Sequence, residues 1–134
     1  MRAVAYVSSA KRELSAEDLD AIVAEARRLN EASGVTGMLL YCDGNFMQYF
    51  EGEDDAVAQT LARVRASGRH HHVSELMNEA ISHREFAQWS MGFARAMPDA
   101  FLDPAAASWE SEDAHGPGAA LLKTFWAGCR CRNN

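Results

Sequence analysis

Two strand-like stretches on either side of Asp43-Gly44 constrain the fold of this chain more than any other feature. Met38 to Tyr41 is an uninterrupted apolar run, and Asn45 to Glu51 has the aromatic-rich composition of a return strand. An Asp-Gly pair supplies the positive φ that a tight two-residue turn needs. The segment from Gly34 to Gly52 therefore predicts a β-hairpin.

Gln48 is the unusual residue of the second strand. Side chains alternate between the two faces of a strand, so Gln48 shares its face with Phe46 and Phe50. Its amide carries donors and acceptors into the expected core, where each unpaired one would cost about 1–3 kcal/mol. This strand alone leaves two interpretations open: a core glutamine satisfied by backbone groups, or a glutamine that faces a polar ligand.

The order of the predicted elements indicates an α+β fold, a ferredoxin-like βαββαββ sheet followed by a C-terminal helical tail. Before and after the hairpin, the predicted elements are a strand at Ala3–Ser8, a helix from Ser15 to Gly34, a helix from Glu53 to Gly68, and strands at Val73–Ile81 and Trp89–Phe93. Right-handed crossovers place both helices on one face of a mostly antiparallel sheet.

Three polar side chains are expected to converge in this fold. The first and third strands are neighbours, about 4.8 Å apart, so Tyr6 and Gln48 can form a hydrogen bond if both face the helices. Asn30, near the end of the first helix, overlooks the same space, although a helix-end Asn is an equally good explanation of it. With no hydrolytic arrangement of residues nearby, a planar polar ligand packed against Phe46 is the better hypothesis.

Charge and residue usage exclude several classes of protein. The net charge of −6, with 13 Lys and Arg residues, argues against direct binding of nucleic acid. Cys42, Cys129 and Cys131 suggest neither a disulfide framework nor a zinc site, so a cytoplasmic location is predicted. His70 to His72 are predicted to be solvated and to bind no metal, because neighbours in an extended segment point opposite ways. No stretch is apolar enough to imply a membrane role.

From residue 97 onward the composition shifts to Ala, Pro, Asp and Ser, which predicts an irregular connection. Apolar residues then recur at the spacing of a short amphipathic helix: Leu122, Phe125, Trp126 and Cys129. So short a helix is not stable alone in water, so we expect it to dock on the open sheet face, against Val7, Met47 and Tyr49. The predicted division is one domain over 1–96 and a linker with a helix over 97–134.

Several short motifs of the chain occur together in one known family. In order they are Tyr6-Val-Ser8, Asn30 with Gly34-Val-Thr-Gly-Met-Leu-Leu-Tyr41, Gly44-Asn-Phe-Met-Gln48-Tyr-Phe-Glu-Gly52, Arg69-His70, and Arg84-Glu-Phe86 with Trp89-Ser-Met91. Their order and spacing resemble the BLUF domains, which are sensors of blue light using FAD. The resemblance covers about Met1 to Phe93.

The resemblance implies a domain that holds FAD without a covalent bond between its two helices. Tyr6 would be the photochemical electron and proton donor, and Gln48 would bridge Tyr6 to the N5 and O4 edge of the flavin. Asn30 would bind the carbonyl side of the flavin, and Arg69 would lie near its ribityl-phosphate end. The full set of residues that it implies for FAD binding is Asn30, Gln48, Arg69, Phe46 and Ser8.

The implied function is a switch without enzymatic turnover. Rotation or tautomerisation of Gln48 would exchange the donor and acceptor ends of its amide, and either orientation is compatible with the dark state. Trp89 and Met91, on the fifth strand, would relay the change towards a partner surface. Because 134 residues leave no room for an effector domain, we expect the output to be a separate protein partner or self-association.

Two positions depart from the pattern of the family. Leu29 stands where a polar residue often precedes the Asn, and Ser67 stands where Asp is more usual ahead of the Arg-His pair. Both departures are expected to loosen the hold on the flavin. The competing hypothesis is a small ferredoxin-like enzyme or an effector-binding module without flavin, and absorption of the purified protein separates the two.

Overall fold

The computed structural model describes residues 1–10, 14–42, 44–67, 70–87, 92–95, 120–125 and 127. Two helices and five strands follow one another in this part of the chain up to residue 95: β1 (Arg2–Ala10), α1 (Ala16–Ser33), β2 (Thr36–Cys42), β3 (Asn45–Gly52), α2 (Asp54–Ala66), β4 (His70–Ala80) and β5 (Gly92–Arg95). The order is the predicted one, and the ferredoxin-like α+β class is confirmed.

The five strands form one sheet in the order β4-β1-β3-β2-β5. β1 is antiparallel to both β3 and β4, β2 is antiparallel to β3, and β5 is parallel to β2. The predicted adjacency of the first and third strands is therefore confirmed. It places Tyr6 directly opposite Gln48 at the centre of the sheet.

Local signals in the sequence determine where α1 begins and ends. Ser15 and Asp18 form a capping box in which each side chain accepts a hydrogen bond from the other's backbone N–H, both at 3.1 Å. Gly34 ends the helix with φ 74°, and its N–H donates to the carbonyl of Asn30. In the hairpin turn, Gly44 has φ 77°, as the Asp-Gly pattern predicts, while Asp43 lies outside the described residues.

Two predicted boundaries need correction. α2 ends at Ala66, with Ser67 as its C-terminal cap. β4 begins at His70, three residues before the predicted start, because the strand pairs with β1 as far as Ala10. His72 has φ 52° where the register with β1 shifts, and its side chain is exposed as expected.

The fifth strand extends further along the chain than its sequence pattern indicated. β5 is described over Gly92–Arg95, where it pairs with Met38 to Tyr41 of β2. The predicted strand Trp89–Phe93 thus overlaps it at its last two residues. Trp89 and Met91 lie outside the described residues.

Buried side chains form three clusters, two on the helix-bearing face of the sheet and one on the opposite face. The α1 cluster consists of Leu14, Leu19, Val23, Leu39, Tyr41 and Phe46. The α2 cluster consists of Val4, Tyr6, Val35, Phe50 and Val57. The far-face cluster consists of Ala3, Ala5, Met38, Leu40, Met47, Tyr49, Met77, Phe86 and Leu122. Each helix is thus held by a cluster of its own, and space remains between them.

Residues 120–125 are helical and reach the far face of the sheet. Leu122 is fully buried in the far-face cluster, together with Met47 and Tyr49. Val7 and Phe125 pack partly buried against the same cluster. These contacts lie on the surface that the sequence pattern indicated for the tail. Trp126 and Cys129 lie outside the described residues.

The interpretation of the cysteines needs a correction. Cys42, at the end of β2, is buried and disulfide-bonded, whereas the sequence suggested no disulfide framework.

No helix in the described part of the chain combines the length and the apolar character that a membrane span requires.

Candidate functional site

A cavity of about 100 Å³ lies over the helix-bearing face of the sheet, between α1 and α2. Its walls are Tyr6, Ile22, Glu25, Ala26, Leu29, Asn30, Leu39, Phe46, Gln48, Thr60, Arg63, Val64 and Ser67. Four predicted site residues are among them, so the structure brings together Tyr6, Asn30, Phe46 and Gln48.

Tyr6 and Gln48 are joined by a buried hydrogen bond. Tyr6 Oη donates to Gln48 Oε1, and the two side chains are only 1% and 6% exposed. Burial raises the pKa of Tyr6 well above its ordinary value near 10, so the phenol remains neutral. The Tyr6 ring also meets Phe50 edge-on, with 6.3 Å between centroids. The polar pair thus sits in an apolar frame that holds both groups in place.

Asn30 lies in the last turn of α1 with its side chain in the cavity wall and only 1% exposed. Its backbone carbonyl accepts hydrogen bonds from the N–H groups of Gly34 and Val35 that close the helix. The two explanations of Asn30 therefore apply to different parts of it. The backbone ends the helix, and the amide belongs to the cavity.

Phe46 and Ser8 are opposite each other in the β1–β3 pairing, but only Phe46 lines the cavity. The Phe46 ring packs on Tyr41 with 4.9 Å between centroids, which fixes its orientation. Ser8 is buried without being part of the cavity wall. Arg69, which was also predicted to contact the flavin, lies outside the described residues.

Sequence reasoning missed six wall residues that the helices contribute: Ile22, Glu25, Ala26, Thr60, Arg63 and Val64. Together with Leu29 and Asn30 of α1, and with Ser67 that caps α2, they fall at helical spacing. That spacing was the available signal, because residues three and four apart share one face of a helix. Among the described wall residues, Arg63 is the only Lys or Arg. Leu29 and Ser67, the two positions that depart from the family pattern, are both in the wall.

The described wall fits the flavin that the resemblance implies. Leu39, Phe46 and Val64 offer apolar surface to a flat ring system. The amides of Asn30 and Gln48 each provide one donor end and one acceptor end for its polar edge. The arrangement therefore suits a ligand that is apolar on its faces and polar around its rim.

The chain matches the family model described as sensors of blue-light using FAD over residues 1–92. It is 37% identical, over 92 residues, to a photoactivated adenylate cyclase subunit beta-like protein of Euglena gracilis. That match covers 68% of this chain and 11% of the relative. A photoactivated adenylate cyclase subunit beta of Euglena longa is also 37% identical, over 64% of this chain and 10% of its own length. The chain thus spans about a tenth of the curated relatives it matches.

Solved structures agree with the sequence matches. The photo-activated state of BlsA has a TM-score of 0.67 and 30% identity, covering 74% of this chain and 73% of that one. BlrP1 of Klebsiella pneumoniae, in a structure with FMN and cyclic diGMP, has a TM-score of 0.77 and 27% identity over 94% of this chain and 34% of that one. With residues 1–92 matched by its model, the chain belongs to the BLUF family of sensors of blue light using FAD.

Proposed function

We propose that this BLUF domain signals blue light by changing the hydrogen bond between Tyr6 and Gln48. The observation that supports the proposal is the bond itself, which is buried and lies in the wall of the cavity between α1 and α2. The FAD of the family supplies absorption of blue light and, once excited, an acceptor for an electron. The residues of the chain determine where the proton goes that leaves the donor together with this electron.

Tyr6 is suited to give up an electron and a proton together. Its raised pKa keeps the phenol neutral, so the proton is not lost before the electron leaves. A phenol that has lost an electron is a strong acid, and its Oη proton has an acceptor in Gln48 Oε1. Return of the electron and the proton restores the Tyr6 phenol. Tyr6 is therefore regenerated, and any lasting change lies in its partner.

Gln48 provides the two states of the switch. Its Oε1 accepts from Tyr6 in the structure, while its Nε2 is the donor end of the same amide. Rotation by about half a turn, or tautomerisation, exchanges the pattern that Gln48 presents to Tyr6 and to the cavity. The exchange needs little space because the two ends of an amide are similar in size.

The remaining wall residues would hold and position FAD. We assign the polar rim of the flavin to Asn30 and its ring face to Phe46. Arg63, exposed near the mouth of the cavity, is the described cation that can balance negative charge on the cofactor. Arg69 and Ser8 remain proposed contacts on the strength of the family pattern alone.

The output of the sensor is proposed to be a protein contact. We propose a sensor domain over 1–96, a linker and helix over 97–134, and a relay through Trp89 and Met91 to a separate protein or a second copy of the chain. With a net charge of −6, direct contact with nucleic acid is not proposed. A cytoplasmic location also remains a proposal, and fractionation of cells tests it.

The decisive experiment is absorption spectroscopy of the purified protein after reconstitution with FAD. Blue light should shift the flavin bands slightly to the red, and the shift should reverse in the dark. Gln48→Leu keeps a similar volume but removes both ends of the amide, so it should bind FAD and show no shift. A normal photocycle in Gln48→Leu would overturn the proposed switch. Failure of the wild type to bind FAD would favour a ferredoxin-like module without flavin.

A further inference from the structure

Glu51 is a fully buried carboxylate on the side of the sheet away from the cavity. It is 0% exposed and, among the described residues, the only charged side chain in the buried set. It lies three residues after Gln48 on β3 and shares its face with Met47 and Tyr49. A carboxylate in such a place is costly unless hydrogen bonds satisfy it.

Four donors converge on this carboxylate. The Glu51 Oε2 atom accepts from Tyr49 Oη and from the backbone N–H of Glu85, each at 2.9 Å. The Glu51 Oε1 atom accepts from the backbone N–H of Phe86 at 2.6 Å and from Thr36 Oγ1 at 3.4 Å. Hydrogen bonds to a charged acceptor are about twice as strong as those between neutral groups. Together they account for the burial of Glu51.

Two of these donors are backbone groups of the connection between β4 and β5. Arg84 of the same connection donates from Nη1 to Thr36 Oγ1 at 3.0 Å, and Thr36 is the cross-strand partner of Glu51. The Phe86 ring packs edge-on against Tyr49, with 5.4 Å between centroids. Side chains of β2 and β3 thus hold residues 84–86 on the far face of the sheet.

We propose that Glu51 is a positioning residue that couples Gln48 to the segment leading into β5. This inference rests on the proposed function, because it takes Gln48 as the origin of the change. The cavity and the Glu51 carboxylate lie on opposite faces of β3, three residues apart along one strand. A shift of β3 that follows exchange of the Gln48 amide moves the acceptor on which Glu85 and Phe86 depend. Residues 84–86 then move with this acceptor, and the movement is passed on towards β5.

The first test needs no light. Amide hydrogen exchange of Glu85 and Phe86 is measured by NMR in the wild type, Glu51→Gln, Glu51→Ala and Glu53→Ala. Glu53 is an exposed carboxylate two residues further on whose side chain makes no cap hydrogen bond, which makes it a matched control. Glu51→Gln keeps the size of the side chain but turns one acceptor into a donor, so at least one of the two amides should exchange about tenfold faster. Unchanged exchange in Glu51→Gln and Glu51→Ala would overturn the proposal.

The second test compares dark and blue-lit samples of the FAD-loaded protein. We expect light to change exchange at Glu85 and Phe86 in the wild type and in Glu53→Ala. In Glu51→Gln the red shift of the flavin should persist while this light-dependent change in exchange is lost. Equal light-dependent changes in the wild type and Glu51→Gln, or none in a wild type that shows the red shift, would contradict the coupling. If the wild type shows no red shift at all, it is the proposed function that fails, and the coupling loses its basis with it.

Discussion

Tyr6 and Gln48 face each other across the β1–β3 ladder, and Tyr6 Oη donates a hydrogen bond to Gln48 Oε1 inside the wall of the cavity. The bond has two consequences. It satisfies part of an amide that is buried among aromatic side chains, and it gives the phenol proton a direct acceptor. Stability of the resting state and the proposed photochemistry therefore depend on the same contact.

Tyr6→Phe tests whether the Tyr6 hydroxyl is needed for the photochemistry but not for the binding of FAD. Removing the hydroxyl deletes the proton donor but keeps the ring that packs on Phe50, so FAD should still bind while the red shift is abolished. Absorption spectra before and after blue light measure both. Tyr41→Phe is the control, since Tyr41 is buried on the same sheet face but does not line the cavity. A red shift in Tyr6→Phe equal to that of Tyr41→Phe would remove Tyr6 from the mechanism.

Asn30→Ala should weaken the retention of FAD and leave the photocycle of the bound fraction intact. The change deletes one amide from the rim of the cavity, and a single hydrogen bond is worth about 0.5–1.5 kcal/mol, or about two- to twelvefold in Kd. Fluorescence titration of the apoprotein with FAD gives the Kd. An unchanged Kd would mean that the Asn30 amide does not touch the cofactor.

Arg63→Ala should weaken FAD binding in a way that depends on salt. Arg63 is exposed, so its charge is worth about 0.2–1 kcal/mol at low ionic strength, up to about fivefold in Kd. Raising the salt concentration should shrink the difference between Arg63→Ala and the wild type. Arg28→Ala, an exposed arginine of α1 that is not in the wall, should bind like the wild type. A loss of equal size in both variants would point to net charge alone.

The convergence of Tyr6 and Gln48 could be predicted because each step depends on local rules. The Asp-Gly turn predicts the hairpin, the period of two assigns the faces, and the order of elements makes β1 and β3 neighbours. The place of Arg63 could not be predicted in the same way. It is a polar residue on the surface of a helix, and only the packing of α2 on the sheet directs it to the mouth of the cavity.

Glu51 shows a second limit of sequence reasoning. Its position opposite the face of Gln48 follows from the period of two, but its burial depends on backbone N–H groups 34 and 35 residues further along the chain. A backbone donor has no residue type, so the sequence carries no signal for it. The early start of β4 has a related cause, because pairing with β1 extends the strand beyond what its own residues indicate.

Stability above pH 10 should fall partly because of Tyr6 and Tyr49. Burial raises the pKa of both phenols, and for Tyr49 the charge and hydrogen bond of Glu51 add to the effect. Above their unfolded pKa near 10 these tyrosines ionise in the unfolded chain but not in the folded one. Each then lowers the free energy of unfolding by about 1.4 kcal/mol per pH unit. The stability that they contribute is complete below pH 10 and is lost as pH rises towards the folded pKa.

Tyr49→Phe tests whether Tyr49 makes the free energy of unfolding fall as the pH rises above 10. Its unfolding by urea, measured from pH 8 to pH 11.5, should decline less steeply than that of the wild type above pH 10, by up to about 1.4 kcal/mol per pH unit. At pH 8 the variant should be less stable, because Glu51 loses the Tyr49 hydroxyl as a donor. Identical slopes in the two proteins would show that Tyr49 titrates normally in the folded state.

Leu122→Ala tests whether the C-terminal helical residues are part of the folded core. Leu122 is fully buried beside Met47 and Tyr49, so truncation should lower the free energy of unfolding by about 2–5 kcal/mol. Leu76→Ala is the matched control, because Leu76 is 47% exposed on β4 and should cost much less. Urea unfolding of both variants gives the comparison. Equal and small losses in the two variants would show that residues 120–125 are not part of the core. Light could then not expose a partner surface by releasing this helix.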